Sequence, residues 1–217
     1  MKKIILLPVA LLLVSISFSQ VRIGPKLGIN IANLEKDSYE LSDSRLSLSL
    51  GGILDYSFSD KLFFQSGLLL SGKGDKEIYK DEDYKSTRIL KFTYIELPAN
   101  LGYKFDLGDG KLFLTAGFYG GIALSGEYFE RWSDEDDSGD GSEKINFGNG
   151  KNDDDIKRGD FGLNFGGGIE INSFLINFNY GLGLVNMDYD VDNEGYYIKN
   201  RVFNISIGYL FDMGNEK

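Results

Sequence analysis

The feature that most constrains the fold is a two-residue alternation of large apolar and small or polar side chains between Asp160 and Met187. Across Phe161–Ile171 the odd positions are mostly large and apolar, whereas the even positions carry Gly, Asn and Glu. After a short break, the alternation resumes across Phe174–Leu184. A period of two indicates a β-strand with one apolar face. The stretch therefore predicts a tight hairpin of two long strands.

Such a hairpin fits two kinds of protein. In a water-soluble barrel or sandwich the apolar face lies in the core. In a membrane barrel, whose strands are about ten residues long, the apolar face meets lipid and the small or polar face lines the lumen. The alternation alone does not choose between them.

The first twenty residues have the three-part order of a secretory signal peptide. Lys2 and Lys3 precede an apolar run across Ile4–Val14, and small serines lead to a cleavage point next to Gln20. The run is too short for a spanning helix, which needs about 20 apolar residues. We expect residues 1–20 to be removed and residues 21–217 to form one exported domain. Since the chain has no cysteine, a lipid-anchored lipoprotein and disulfide bonds are excluded.

Eight alternating stretches follow residue 20, and the connections between them are in turn long and short. The longest connection, residues 126–158, is acidic. Outer-membrane barrels have an even number of strands, short periplasmic turns and long extracellular loops. We therefore predict an all-β fold, an eight-stranded antiparallel up-and-down transmembrane β-barrel with short periplasmic turns and long extracellular loops. Within the fourth stretch, Pro98 predicts a bulge or local unpairing.

Aromatic side chains cluster at the strand ends next to the short turns, as in the interfacial girdle of a membrane barrel. The predicted girdle comprises Tyr56, Phe58, Phe63, Phe64, Tyr103, Phe105, Phe113, Phe174, Tyr209 and Phe211. The same residues would also seal the end of a soluble core. The alternative is therefore a soluble periplasmic, lipocalin-like barrel that binds an apolar ligand. Loop asymmetry, strand length and the export signal favour the cell outer membrane.

Four segments resemble recurring blocks of the PorT-like outer membrane β-barrel family of Bacteroidetes. They are GPKLGINIANL, YIELPANLGYKF, FGLNFGGGIEI and INFNYGLGLVNM. The resemblance spans nearly the whole mature chain and implies an eight-stranded barrel in the outer membrane of a Gram-negative bacterium. It implies less about activity, because the family includes a component of the type IX secretion machinery among many barrels of unknown role. An accessory role in secretion or surface assembly rests on this resemblance alone.

The composition excludes several kinds of chemistry. There is no histidine, so neither a Ser-His pair nor a His-ligated metal is available. A formal net charge of -10 argues against nucleic acid as a partner. Glu96 and Glu170 are the one carboxylate pair to consider for acid–base catalysis, and no motif supports it. We expect no enzymatic activity and no cofactor.

Charged residues on the polar faces of the predicted strands form a candidate lumen network. Eight strands leave an interior just wide enough for side chains. We therefore expect ion pairs to fill the lumen and no open channel to pass through it. The predicted members are Arg22, Lys26, Arg45, Asp55, Glu96, Lys104 and Glu170.

The acidic connection offers weak candidates for a calcium site. Oxygen-rich, glycine-spaced runs suit Ca²⁺, and the candidate ligands are Asp134, Asp136 and Asp140. The spacing does not match a 12-residue calcium loop, because the positions that would need Glu are Ile145 and Phe147. We favour a solvated extracellular loop over a specific metal site.

Two cations in the last strand are candidates for contact with lipopolysaccharide. Lys199 and Arg201 share the outward parity of that strand near its predicted extracellular end, where they would meet phosphate groups. An ordinary charged strand end is an equal alternative. The sequence thus predicts a small outer-membrane barrel with a structural or interaction role. Its expected partners are outer-membrane lipid, lipopolysaccharide and a protein bound through the extracellular loops.

Overall fold

The computed structural model describes residues 20–36, 43–148, 156–188 and 197–214, and these residues form an all-β protein. Except for Gln20, the predicted signal peptide lies outside the described residues. The strands are β1 (Val21–Lys36), β2 (Arg45–Ser57), β3 (Leu62–Lys80), β4 (Lys85–Leu107), β5 (Gly110–Ser133), β6 (Ser138–Lys144), β7 (Phe147–Gly148), β8 (Ile156–Lys157), β9 (Gly159–Ile171), β10 (Phe174–Gly183), β11 (Ile198–Tyr209) and β12 (Phe211–Asp212). In this part of the chain, no helix is long and apolar enough to cross a membrane.

Eight of the strands close into a ring in which neighbours are antiparallel. The order around the ring is β1, β2, β3, β4, β5, β9, β10 and β11, and β11 pairs with β1 along a seam from Lys26–Gly208 to Lys36–Ile198. Three tight turns lie at one end of the ring, at residues 58–61, 108–109 and 172–173. The predicted eight-stranded up-and-down barrel is confirmed.

Polar side chains face the inside of the ring, and large apolar side chains face outward. On β2, Leu48 is 62% exposed while its neighbour Ser49 is 3% exposed. The same contrast holds on β4, where Leu101 is 57% exposed and Asn100 is 3% exposed. An outward apolar band with a polar interior is the arrangement of a membrane barrel. A lipocalin-like barrel would need the opposite arrangement, so the soluble alternative does not fit.

Paired aromatic side chains surround the end of the barrel with the tight turns. Ring centroids lie 5.0 Å apart for Tyr103 and Phe105, and 4.8 Å apart for Phe174 and Tyr209. The prediction is wrong for Phe63 and Phe113, which are each 1% exposed and pack edge to face inside the barrel at 6.0 Å. Both occupy inward positions of their strands, and parity along a strand decides which way a side chain points.

Two segments expected to be irregular connections are strands instead. In the first, β3 runs to Lys80 and β4 begins at Lys85, so only residues 81–84 form the turn. In the second, β5 continues to Ser133 and β6 returns after a turn at residues 134–137. Their polar sequences pair with each other without an apolar face, which sequence periodicity does not reveal. Residues 149–155 of the acidic connection lie outside the described residues.

The local unpairing expected at Pro98 is present. Pairing of β3 with β4 is interrupted between the pairs Ser66–Ala99 and Leu69–Glu96. The Ser66 hydroxyl donates a hydrogen bond to the Pro98 carbonyl at 2.8 Å. A bulge lies closer to the long-loop end, where the register of β4 with β5 shifts between Thr93 and Tyr94. The bulge reverses the inward and outward parity of β5 beyond this point.

Candidate functional site in the lumen and on the projecting sheet

The lumen near the tight turns is closed by two cations and two carboxylates from four different strands. Arg22 Nη1 lies 2.5 Å from Glu170 Oε1, and Arg22 Nη2 lies 3.1 Å from Asp55 Oδ2. Lys104 Nζ lies 3.0 Å from Glu170 and 3.5 Å from Asp55. Each carboxylate therefore has two cationic partners. We call this set the lower cluster.

A second group of ion pairs, the upper cluster, is centred on Lys73. The ammonium lies 2.6 Å from Glu96 Oε2 and 3.0 Å from Asp160 Oδ2, and its residue is 2% exposed. Asp160 also accepts hydrogen bonds from the Tyr119 hydroxyl at 3.1 Å and from Asn200 Nδ2 at 2.8 Å. Lys73 and Asp160 were not predicted. Both have inward parity on their strands, so the same alternation that identified the other members could have found them.

A small polar cavity of about 40 Å³ lies between the two clusters. One water needs roughly 10–15 Å³ of such space, so the cavity has room for a few waters. Lys26 lines the cavity and, among the described residues, has no carboxylate within ion-pair distance. Arg45 lies nearer the mouth, where its Nη1 donates to the Lys73 carbonyl at 2.6 Å. The structure thus places all seven predicted lumen residues inward or at the mouth and brings five of them into ion pairs.

An apolar plug closes the lumen above the upper cluster. Phe92, Tyr94 and Met187 are at most 1% exposed and pack with Phe147 of β7 and Ile156 of β8. The short β7–β8 pair thus folds over the barrel mouth. Within the described residues, the plug and the two clusters leave no open path along the barrel axis.

Three barrel strands continue beyond the barrel, and with β6 they form a sheet that we call the projecting sheet. It comprises residues 75–80 of β3, 85–91 of β4, 127–133 of β5, and β6. Across Asp75–Arg88 and Glu127–Lys144, thirteen carboxylates accompany six cationic side chains. The acids concentrate in the two turns at residues 81–84 and 134–137. The projecting sheet is therefore ordered by pairing and strongly acidic at its tips.

An ion pair links two central strands of the projecting sheet. Arg88 Nε donates to Glu130 Oε1 at 2.9 Å, and the Tyr128 hydroxyl donates to Glu130 Oε2 at 3.1 Å. The hydrogen bond from Arg88 lowers the pKa of the Glu130 carboxyl below its usual value.

The three calcium candidates do not converge on one point. Asp134 Oδ1 accepts hydrogen bonds from the backbone N–H groups of Asp136 at 3.0 Å and Asp137 at 2.7 Å, which stabilises the turn. Asp140 lies on β6, opposite Arg131. In the described ranges, no group of three or more carboxylates could hold a metal ion.

The two lipopolysaccharide candidates differ in their surroundings. The Arg201 guanidinium forms an ion pair with Glu35 and donates to the Gly183 carbonyl at 2.7 Å. Lys199 Nζ lies 4.9 Å from the centroid of the Tyr197 ring. The charge of Arg201 is therefore balanced within the barrel wall, whereas Lys199 is held by an aromatic face.

Solved structures of outer-membrane proteins are similar to this chain at low sequence identity. Ail, the attachment invasion locus protein of Yersinia pestis, is 14% identical with a TM-score of 0.44, over 88% of this chain and 99% of Ail. Neisserial surface protein A is 13% identical with a TM-score of 0.43, over 89% of this chain and 98% of that protein. The N-terminal β-barrel domain of Pseudomonas aeruginosa OprF is 10% identical with a TM-score of 0.36, over 86% of this chain and 97% of that domain.

A family model identifies the chain more directly. No curated protein matches this chain. The model described as outer membrane protein beta-barrel domain matches residues 17–189, which include strands β1 to β10. The outward apolar band, the polar lumen and the closed ring are the features that such a family requires. The chain therefore belongs to the outer membrane protein β-barrel domain family.

Proposed function

We propose that this outer-membrane protein is a non-conducting anchor that presents the projecting sheet to a protein partner outside the cell. One observation carries the proposal: the lumen is filled with ion pairs and capped, while three barrel strands continue beyond the lipid-facing band and form a sheet with β6. A channel or a binder of apolar ligands would instead need open or apolar space inside the barrel.

The acidic tips suggest the chemistry of the partner. The turns at residues 81–84 and 134–137 together carry seven carboxylates and no cation. Patches of opposite charge steer association and select partners. We therefore expect the partner to present a cationic surface to these turns.

The finer parts of the proposal come from the sequence. Removal of residues 1–20 during export is expected from the three-part N-terminus. The resemblance to PorT-like barrels of Bacteroidetes suggests that the partner belongs to a secretion or surface-assembly system. The absence of histidine supports a role without catalysis. Lys199 supports contact with lipopolysaccharide, and Arg201 supports it less because Glu35 balances its charge.

The first test combines location, folding and conductance. We expect the protein in the outer-membrane fraction, with a mobility on gels that changes when the sample is boiled. In planar bilayers, the purified barrel should give no steady conductance. A stable open channel would contradict the anchor role.

The second test removes the tips while keeping the barrel. Because Glu77 pairs with Arg88, and Tyr128 pairs with Glu143, an Asn-Gly turn in place of residues 78–87 and 129–142 would close each hairpin in register. A photo-crosslinker at Asp83 or Glu135 on intact cells should capture a partner that competes with a soluble polycation. The trimmed barrel should fold and should no longer co-purify with the partner that was captured from the full-length protein. Capture from Asp60 in a tight turn, but not from the tips, would contradict the proposal.

A further inference from the structure

The two faces of the projecting sheet carry opposite charge, although the composition of this region is acidic overall. Residues directly opposite each other in antiparallel strands share a face, so the register assigns every side chain. One face holds the cations Lys76, Lys80, Lys85, Lys91, Arg131 and Lys144, with the carboxylates Glu127 and Asp140. The other face holds Arg88 with the carboxylates Asp75, Glu77, Glu130 and Glu143.

The cationic face continues the lipid-facing side of the barrel, and we call it the outer face. On β4, Ile95 points outward to lipid, and Thr93 and Lys91 follow on the same side. On β5, the bulge at the Thr93–Tyr94 register shift brings Glu127, Phe129 and Arg131 onto this side. Lys91 lies about 13 Å along the strand from Ile95, at roughly 3.3 Å per residue. The outer face thus begins at the outer rim of the apolar band.

Among the described residues, most cations of the outer face form no ion pair. Lys91 lies 3.2 Å from Glu127, so this pair is neutral. In the part of the chain that the structure describes, the other five have no carboxylate within ion-pair distance: Lys76, Lys80, Lys85, Arg131 and Lys144. The acidic face differs, because Lys36 binds Asp75 at 2.7 Å and Arg88 binds Glu130. The unbalanced positive charge is therefore specific to the outer face.

Two grooves on this side combine cations with apolar surface. The upper groove, of about 480 Å³, is lined by Lys76, Lys85 and Arg131 beside Ile89 and Phe129, and by the carboxylate Asp140. The lower groove, of about 900 Å³, lies at the rim and is lined by Lys91, Lys144 and Arg158 beside Leu124, and by the carboxylates Glu127 and Glu143. Leu124 is 54% exposed and directly follows the lipid-facing band. A ligand that combines a phosphate with an acyl chain would place the phosphate among these cations and the chain along Leu124.

We propose that the outer face of the projecting sheet binds the phosphate groups of lipopolysaccharide in the outer leaflet of the same membrane. The inference rests on the outer-membrane anchor proposed above and names a second partner for the same sheet. The acidic tips remain available to the protein partner, because they lie in the turns. Phosphates bound along the outer face would also fix the angle at which the projecting sheet leaves the membrane.

The test compares two triple variants with the same change in net charge. The first, Lys76→Gln/Arg131→Gln/Lys144→Gln, removes three cations of the outer face. The control, Lys61→Gln/Arg88→Gln/Lys111→Gln, removes three from elsewhere. Lipopolysaccharide from the same outer membrane is titrated onto each purified protein in zwitterionic detergent. Binding is followed by isothermal titration calorimetry.

We expect the outer-face variant to bind on the order of 100-fold more weakly, since each of the three cations near an anionic lipid surface contributes roughly a fivefold change in affinity. The control should bind like the natural protein, and dephosphorylated lipopolysaccharide should bind weakly to all three. Equal weakening in both variants would overturn the proposal, as would undiminished binding of the dephosphorylated form. Tighter binding of a soluble sulfated glycan than of lipopolysaccharide would also overturn it. Partner crosslinking at Glu135 in the outer-face variant tests the anchor function separately.

Discussion

A single side chain, Lys73, holds the upper part of the lumen together. Its ammonium contacts carboxylates from two other strands and lies 4.1 Å from the centroid of the Tyr119 ring. Removing one member of a buried ion pair leaves the other charge without compensation, which costs more than the pair contributes. Substitution of Lys73 should therefore reduce stability more than substitution of an ordinary surface lysine.

Lys73→Met should destabilise the barrel by about 3–5 kcal/mol, because Glu96 and Asp160 lose their shared cation. The measurement is the temperature at which the folded band disappears in heat-modifiability gels. Lys73→Met/Glu96→Gln/Asp160→Asn should recover most of the loss, since it removes the unpaired charges as well. Lys85→Met, in the projecting sheet, serves as the control. A single variant as stable as the natural barrel would refute the role of the upper cluster.

On the lipid side, Leu48→Arg should impair assembly, with a cost of about 2–4 kcal/mol if the side chain lies near the bilayer midplane. The matched control is Ile78→Arg, because Ile78 has the same outward parity beyond the membrane and is also exposed. Denaturant titration of each refolded barrel in lipid vesicles measures the difference. Equal stability of the two variants would contradict the assigned lipid band.

At the scale of elements, the projecting sheet differs from the barrel that carries it. Its strands have no lipid-facing apolar surface, and pairing and cross-strand ion pairs order it instead. Arg88 and Glu130 lie directly opposite each other on β4 and β5, and both are substantially exposed. Exposed pairs of this kind contribute at most about 1 kcal/mol, because water and salt screen them. The pair therefore makes a small contribution to the stability of the projecting sheet and does not determine its fold.

This pair makes the projecting sheet sensitive to acid. The lowered pKa of Glu130 means that its contribution is present above the ordinary Glu value of about 4.3 and is lost as pH falls through the folded value. An NMR titration of the Glu130 carboxyl should show a midpoint below that of an exposed Glu. In Arg88→Ala the midpoint should return toward the ordinary value. An unchanged midpoint in this variant would rule out Arg88 as the cause.

For the whole molecule, strand parity predicts the barrel and one of the two ion-pair clusters in its lumen. The alternation that sets Leu48 outward and Asp55 inward is local, so it can be read along one strand. It predicts the eight strands and all members of the lower cluster. The partners within a cluster depend on the register between strands, which is a non-local property. For that reason Arg22 and Lys104 were expected to face inward, but their shared contacts with Glu170 were not.

The projecting sheet could not be predicted for a related physical reason. The sequence DKEIYKDEDYKS has no sustained apolar face, so its periodicity does not distinguish a strand from a solvated connection. In the folded protein, pairing with the extended ends of β4 and β5 makes this segment a strand. The separation of charge between its faces depends on the same pairing and on the bulge near Tyr94. Composition alone describes this region only as acidic.

The seam between β1 and β11 has a consequence for biogenesis. The first described strand, β1, pairs along one edge with β11, more than 160 residues later. Before β11 is available, the backbone N–H and C=O groups along one edge of β1 have no strand partner. Exposing such an edge to lipid has a high free-energy cost. The ring can therefore close only after β11 has been synthesised. Until then, the nascent barrel needs a chaperone or an insertion machine that shelters both edges on the way to the membrane.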